Sequence, residues 1–210
     1  MLAIEYSGRR ILKACSPAAC LHLLPRPCMG KERRHTNSMK TILETPRLLL
    51  REMTPDDLDF ITAMLADPEV MRFYPKCYSR AEAEVWLDRQ LRRYARHGHG
   101  LWLVEEKATA KPVGQVGLLI QHVGGVDEKE VAYLIHRPYW GQGFATEAAL
   151  ACRNYAFKHF NRPRVFALVR PENEPSQHVA RKLGMTPGPE TVQHSGLTHL
   201  VFSIAQAGEG

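Results

Sequence analysis

Gly141 and Gly143 flank a single glutamine, Gln142. The apolar alternating run Val131-Ala132-Tyr133-Leu134-Ile135 precedes them, and an alanine-rich helical pattern opens after them at Phe144-Ala145-Thr146-Glu147. The order is strand, glycine loop, helix. The first turn of a helix leaves backbone N–H groups without intrahelical partners, and the helix dipole favours an anion there. Glycines remove the side chains that would keep a phosphate away from the backbone. The chemistry this spacing allows is diphosphate binding. Two other phosphate loops are excluded. A P-loop needs Gly-Lys-Ser/Thr, and none follows Gly143. The dinucleotide fingerprint needs a glycine or alanine where Thr146 stands. Taken alone, the spacing also fits a tight strand-to-helix turn that binds nothing.

The stretch Tyr139-Trp140-Gly141-Gln142-Gly143-Phe144-Ala145-Thr146-Glu147-Ala148 resembles the acyl-CoA signature of the GNAT superfamily of N-acyltransferases, Gln/Arg-x-x-Gly-x-Gly/Ala. Trp140 takes the Gln/Arg position and is a departure, Gly143 takes the glycine, and Ala145 the final small residue. Together with the opening Glu44-Thr45-Pro46-Arg47-Leu48-Leu49-Leu50-Arg51, this variant is similar to the branch that acetylates the N-termini of ribosomal proteins. The likeness runs from about Thr45 to about Ala205.

The resemblance implies a fold and a set of roles. The fold is a single α+β domain with a mixed, mostly antiparallel twisted sheet flanked by helices. It splays between its fourth and fifth strands, here Glu130 to His136 and Val165 to Val169. Backbone groups of Leu134, Ile135 and His136 would meet the pantetheine arm of acetyl-CoA. N–H groups from Gly141 through Gln142, Gly143, Phe144 and Ala145 to Thr146 would hold its pyrophosphate, and the Ile135 N–H would stabilise the oxyanion of the reacting thioester. Asn173 would bond the pantetheine. Many members carry a tyrosine acid seven residues after that asparagine, but here the position is Ala180. Ser176 is then the candidate acid, and Glu130 the candidate base, acting through water. Each has a plainer alternative: Asn173 and Ser176 both suit helix N-caps, and Glu130 a charged strand end. His136 is a rival base that the cofactor would crowd, whereas His97, His99 and His122 have no locating motif.

The reaction implied is direct attack of a primary amine on acetyl-CoA in a ternary complex, with no metal. The acceptor is a protein N-terminus or a small amine such as an antibiotic, polyamine or amino acid. A non-catalytic acyl-CoA-binding module is the rival reading, because the usual acid is missing. Cys152, in mid-helix and facing the sheet, is a poor nucleophile.

Composition bounds the rest. The 210-residue chain carries a formal charge of +6. Residues 1–40 hold eight Lys/Arg against two Asp/Glu, and residues 41–210 hold twenty of each, so the domain is neutral and neither nucleic acid nor membrane is an expected partner. No apolar run is long enough for a transmembrane helix. The five cysteines, three of them before residue 30, form no disulfide framework, and a cytoplasmic monomer or homodimer is expected. Cys15, Cys20, His22, Cys28 and His35 lack the spacing of a zinc site. Residues 1–38, broken by Pro17, Pro25 and Pro27, read as a disordered basic extension. Residues 39–206 read as the acetyltransferase domain, and 207–210 as a tail.

The elements follow in order. Leu48 to Met53 reads as a first strand, and Thr54 caps a helix with Pro55 in its first turn. Residues 70–78 read as a linker of the kind that borders the acceptor site in this family. Ser79 and Glu82 form a capping box for a second helix, which Gly98 ends. The Arg92-Arg93-Arg96 cluster on it reads as a solvated face. Leu101 to Glu106 and Val113 to Ile120 form a hairpin. After the loop helix come a strand over Val165 to Val169, a short helix over Ser176 to Leu183, and a final strand over His199 to Ile204.

Overall fold

The computed structural model describes residues 40–123, 126–160 and 164–206. The expected extension over 1–38, its cysteines and the tail 207–210 lie outside these residues. Eight strands form one sheet, in the order β1-β2-β3-β4-β5-β6-β8-β7. They are β1 (Thr41–Glu44), β2 (Leu48–Arg51), β3 (Leu101–Glu106), β4 (Lys111–Val123), β5 (Val126–Ile135), β6 (Arg164–Val169), β7 (Thr186–His194) and β8 (Leu197–Ala205). Every neighbouring pair is antiparallel except β5 and β6. The helices are α1 (Leu58–Ala66), α2 (Pro68–Met71), α3 (Arg80–His97), α4 (Phe144–Phe160) and α5 (Glu174–Lys182).

Local chemistry sets the helix ends. Ser79 N donates to Glu82 Oε2 at 2.9 Å, closing the capping box of α3, and Gly98 stops that helix at φ +71, a conformation cheap only for glycine. The small face of α4, Ala148, Ala149, Cys152 and Ala156, is fully buried and packs against β4 and β5. Trp102, Leu103, Leu118 and Val131 add bulk to the same core. Burying each large side chain contributes roughly 1.5–3 kcal/mol.

Some elements differ from the expectation. Strand β1 precedes the expected first strand, so the splayed pair is the fifth and sixth strands by count. The expected linker over 70–78 begins inside the single turn of α2. A strand, β7, stands before the last one. Helix α5 begins at Glu174, so Asn173 is its cap and Ser176 lies in its first turn. The arginine cluster on α3 divides: Arg92 is exposed and paired with Asp88 at 2.9 Å, whereas Arg93 turns inward and is half-buried.

The β5–β6 ladder positions the site. Its register holds only Lys129 with Val165 and Glu130 with Phe166, after which the strands part. On its other side β5 stays paired with β4 as far as Ile135.

Candidate functional site

At the open end of β5 a 3-10 turn (Arg137–Tyr139) leads through Trp140 into the glycine loop. Gly141 and Gly143 take φ of +76 and +80, left-handed values that a side chain would strain. A Cβ added at Gly141 would meet nothing within 4 Å, so that face of the loop is open. Helix α4 starts directly behind it, its first-turn N–H groups directed at the opening. Trp140, the departure from the signature, ties the start of the loop back to β5, since its indole Nε1 donates to Ile135 O at 2.6 Å.

The polarity of β5 follows from its ladder. His136 N donates to Val113 O at 2.9 Å, and Gly114 is opposite Ile135. In an antiparallel pair, hydrogen-bonded and non-bonded residue pairs alternate. Ile135 therefore directs its N–H and C=O away from β4, toward the gap left by β6. Trp140 takes the carbonyl, and the N–H faces the gap. Of the three expected backbone contacts only Ile135 turns its N–H to the gap; the His136 N–H is spent on Val113 O, and Leu134, opposite Gln115, turns its backbone groups to β4 as well.

Side chains occupy the other walls. Glu130 is only 7% exposed, stands where β5 and β6 part, and forms no ion pair among the described residues. Burial pushes its carboxyl up, against hydrogen bonds from Gln121 Nε2 at 2.7 Å and from the Leu168 backbone N–H. Across the gap, Asn173 Oδ1 accepts from Ser176 N at 3.1 Å, which fixes the start of α5. The capping role of Asn173 uses only its carbonyl oxygen, leaving its amide N–H groups for another partner. Ser176 Oγ donates to Tyr133 Oη at 3.1 Å, and Tyr133 Oη donates to Ser176 O at 2.8 Å. Burial pushes the Tyr133 phenol up to about 12. Ala180 is fully buried in the core, so no acid stands at the usual position.

Tyr133 is a residue the sequence reading missed, and Tyr74 is another. Tyr74 is 40% exposed, yet crowding by its neighbours drives its phenol upward, with further pushes from Glu130, Tyr78 and Tyr133. Arg93, on the inward face of α3 with Trp86, completes this side. Burial lowers its pKa, Arg89 adds to that, and Glu130 opposes it. Its guanidinium reaches Gln90 Oε1 at 3.2 Å but no carboxylate among the described residues.

The remaining candidates stand apart. The His136 ring packs edge-on against Phe60 of α1, with centroids 5.6 Å apart, and desolvation lowers its pKa. His99 is buried beside Lys129 and Leu118 O, and burial lowers its pKa to about 4. Cys152 is fully buried, with its thiol pushed up by desolvation, which suits packing and not attack. Among the described residues, no cluster of His, Cys, Asp and Glu could hold a metal, and no helix is long and apolar enough to cross a membrane.

Known proteins resemble this chain in sequence and in fold. Residues 47–186 match the family described as an acetyltransferase (GNAT) domain. An uncharacterised Bacillus subtilis protein, YkkB, is 35% identical over 70% of this chain and 86% of its own length. Spermidine N(1)-acetyltransferase of Escherichia coli K12 is 30% identical over 65% of this chain and 72% of its own. The crystal structure of an acetyltransferase from Agrobacterium tumefaciens superposes with a TM-score of 0.69 at 30% identity, covering 80% of this chain and 96% of that one.

Proposed function

Given that the chain belongs to the GNAT acetyltransferase family, we propose that it moves the acetyl group of acetyl-CoA directly to a primary amine in a ternary complex, with a protein N-terminus as the acceptor. The observation that carries this reading is the parting of β5 and β6 beside the glycine loop, with the Ile135 N–H facing the gap. The loop grips the diphosphate, and the arm lies along residues 134–136 with Asn173 on its far side. Glu130, as its carboxylate, takes a proton from the incoming ammonium through water, and burial makes that carboxylate a stronger base than an exposed one. The neutral amine forms its bond to the thioester carbon while the Ile135 N–H holds the developing oxyanion. Collapse breaks the C–S bond. Ser176 turns its O–H from Tyr133 Oη to give the departing thiolate a proton, and takes one back from Tyr133, which solvent reprotonates.

The acceptor side offers Glu130 as a carboxylate, with Arg89 and Arg93 in electrostatic range of each other on α3. That balance repels a polycation and suits an amine attached to a neutral or carbonyl-bearing body. It favours a peptide N-terminus over a polyamine, although a spermidine acetyltransferase is among the relatives. The test is CoA release from acetyl-CoA across a panel of N-terminal peptides, amino acids and spermidine. Peptides should give the highest kcat/KM. Preference for spermidine would overturn the acceptor, and acetyl-CoA binding without CoA release for any amine would favour a non-catalytic module.

A further inference from the structure

Arg47 lies between β1 and β2, about a hundred residues before the glycine loop, yet it is built into it. Its Nη1 donates to Gln142 O at 2.9 Å, its Nε to Glu147 Oε2 at 2.7 Å, and its backbone N to Glu147 Oε1 at 3.0 Å. Thr45 Oγ1 adds a bond to Glu147 Oε1 at 2.6 Å, and the guanidinium carbon lies 4.7 Å over the Phe144 ring.

Two consequences follow. The first concerns the peptide between Gln142 and Gly143. It is trans, so its C=O and N–H point in opposite directions. A flip of this peptide would reverse the sign of φ at Gly143, and glycine tolerates either sign. The loop sequence therefore does not decide the orientation. Arg47 does, by holding the carbonyl and so turning the Gly143 N–H away from itself, toward the open side of the loop. The second concerns charge. A carboxylate in the first turn of α4 stands close to where a diphosphate would dock. Burial works to raise the Glu147 pKa, but the hydrogen bonds from Thr45 and Arg47 outweigh it and hold the carboxyl below its usual range. The arginine leaves this anion paired and tied back.

We propose that Arg47 is the positioning residue of the diphosphate loop: without touching the donor, it sets the 142–143 peptide and neutralises Glu147 so that the loop presents N–H groups alone. This rests on the reading of the loop as the acetyl-CoA site. The test titrates two probes by calorimetry into the wild type, Arg47→Met and Arg47→Lys. One probe is acetyl-CoA. The other is S-acetylpantetheine, which has the same arm and thioester without the diphosphate. Arg47→Met should weaken acetyl-CoA binding about ten- to a hundredfold, the scale of hydrogen bonds to a charged group, and leave S-acetylpantetheine unchanged. Arg47→Lys should recover only part, because a single ammonium cannot reproduce the planar fork. Unchanged acetyl-CoA binding in Arg47→Met would overturn the role, as would an equal loss of both probes, which marks a merely structural residue. Should Arg47→Met fail to fold, the same two outcomes are read from Arg47→Lys. A wild type that bound neither probe would overturn the cofactor reading itself and this role with it.

Discussion

Along the glycine loop, the groups offered to a ligand are backbone N–H groups, and the side chains that shape them work through carbonyls, Arg47 through Gln142 O in the loop and Trp140 through Ile135 O on β5. In the proton-moving region the groups are side chains: Glu130 and Tyr133 on β5, Ser176 from α5, and Tyr74 and Arg93, whose charges act on or respond to Glu130. The two regions share one gap in one sheet but differ in what a substitution can reach. Backbone groups are altered only by changing the loop's conformation. Side chains can be removed one at a time. Binding of the donor and movement of protons should therefore separate by mutation.

The largest separation is expected at Glu130. Replacing it with glutamine keeps the shape and the hydrogen bonds available to an amide but removes the base. The expected loss in kcat is about 10²–10³-fold, the range of general acid–base catalysis, with acetyl-CoA affinity unchanged. The wild-type kcat–pH profile should carry an acid limb above the ordinary carboxylate range of about 4.3, because burial raises this pKa. In Glu130→Gln that limb should flatten. A full rate with an unaltered profile would place the base elsewhere. Ser176→Ala should cost less, about tenfold or under, because water can also protonate a thiolate that leaves readily. Tyr133→Phe should match it if the two hydroxyls form one relay, and the double variant should then lose little more than either single one. Additive losses would break the relay into two independent contributions.

A smaller effect joins the same region to stability. The folded state holds the Glu130 proton more tightly than the unfolded chain does. Its contribution is therefore favourable below the unfolded pKa and is lost as pH rises through the raised folded one. Glu130→Gln should melt above the wild type at about pH 8 and alongside it at about pH 4. Each 1 kcal/mol would shift the midpoint by ~2–4 °C. An equal midpoint at both pH values would mean the buried carboxylate carries no such cost.

The same contrast explains what could be read in the sequence. A site made of backbone N–H groups leaves a mark, because close approach of a phosphate needs glycine, and Gly141 and Gly143 carry that mark. The mixed, mostly antiparallel sheet and its splay came with the family resemblance. Strand β7 was not legible, since Pro187, Gly188 and Pro189 weaken a strand, and the ladder to β8 indeed shifts register between Pro187 and Thr191. The start of α5 was misplaced because both Asn173 and Ser176 suit a cap, and Pro175 is tolerated in a first turn, not only before it. Tyr74, Tyr133 and Arg93 obey no spacing rule. They are linked to Glu130 only through its charge, across elements far apart in sequence. Arg47 belongs to the opening motif, but the carbonyl it grips lies about a hundred residues away, beyond any local pattern.

The most direct test sets the two regions side by side in one titration. Acetyl-CoA is titrated by calorimetry into the wild type, Gly143→Val and Glu130→Gln, each shown to be folded by its melting transition. Valine at φ +80 is strained and its Cβ would sit against Arg47 Nη2 at 3.5 Å, so Gly143→Val should distort the loop that presents the N–H groups and lose at least about tenfold in affinity, while Glu130→Gln should bind like the wild type. Unchanged affinity in Gly143→Val, or an equal loss in both variants, would contradict the account.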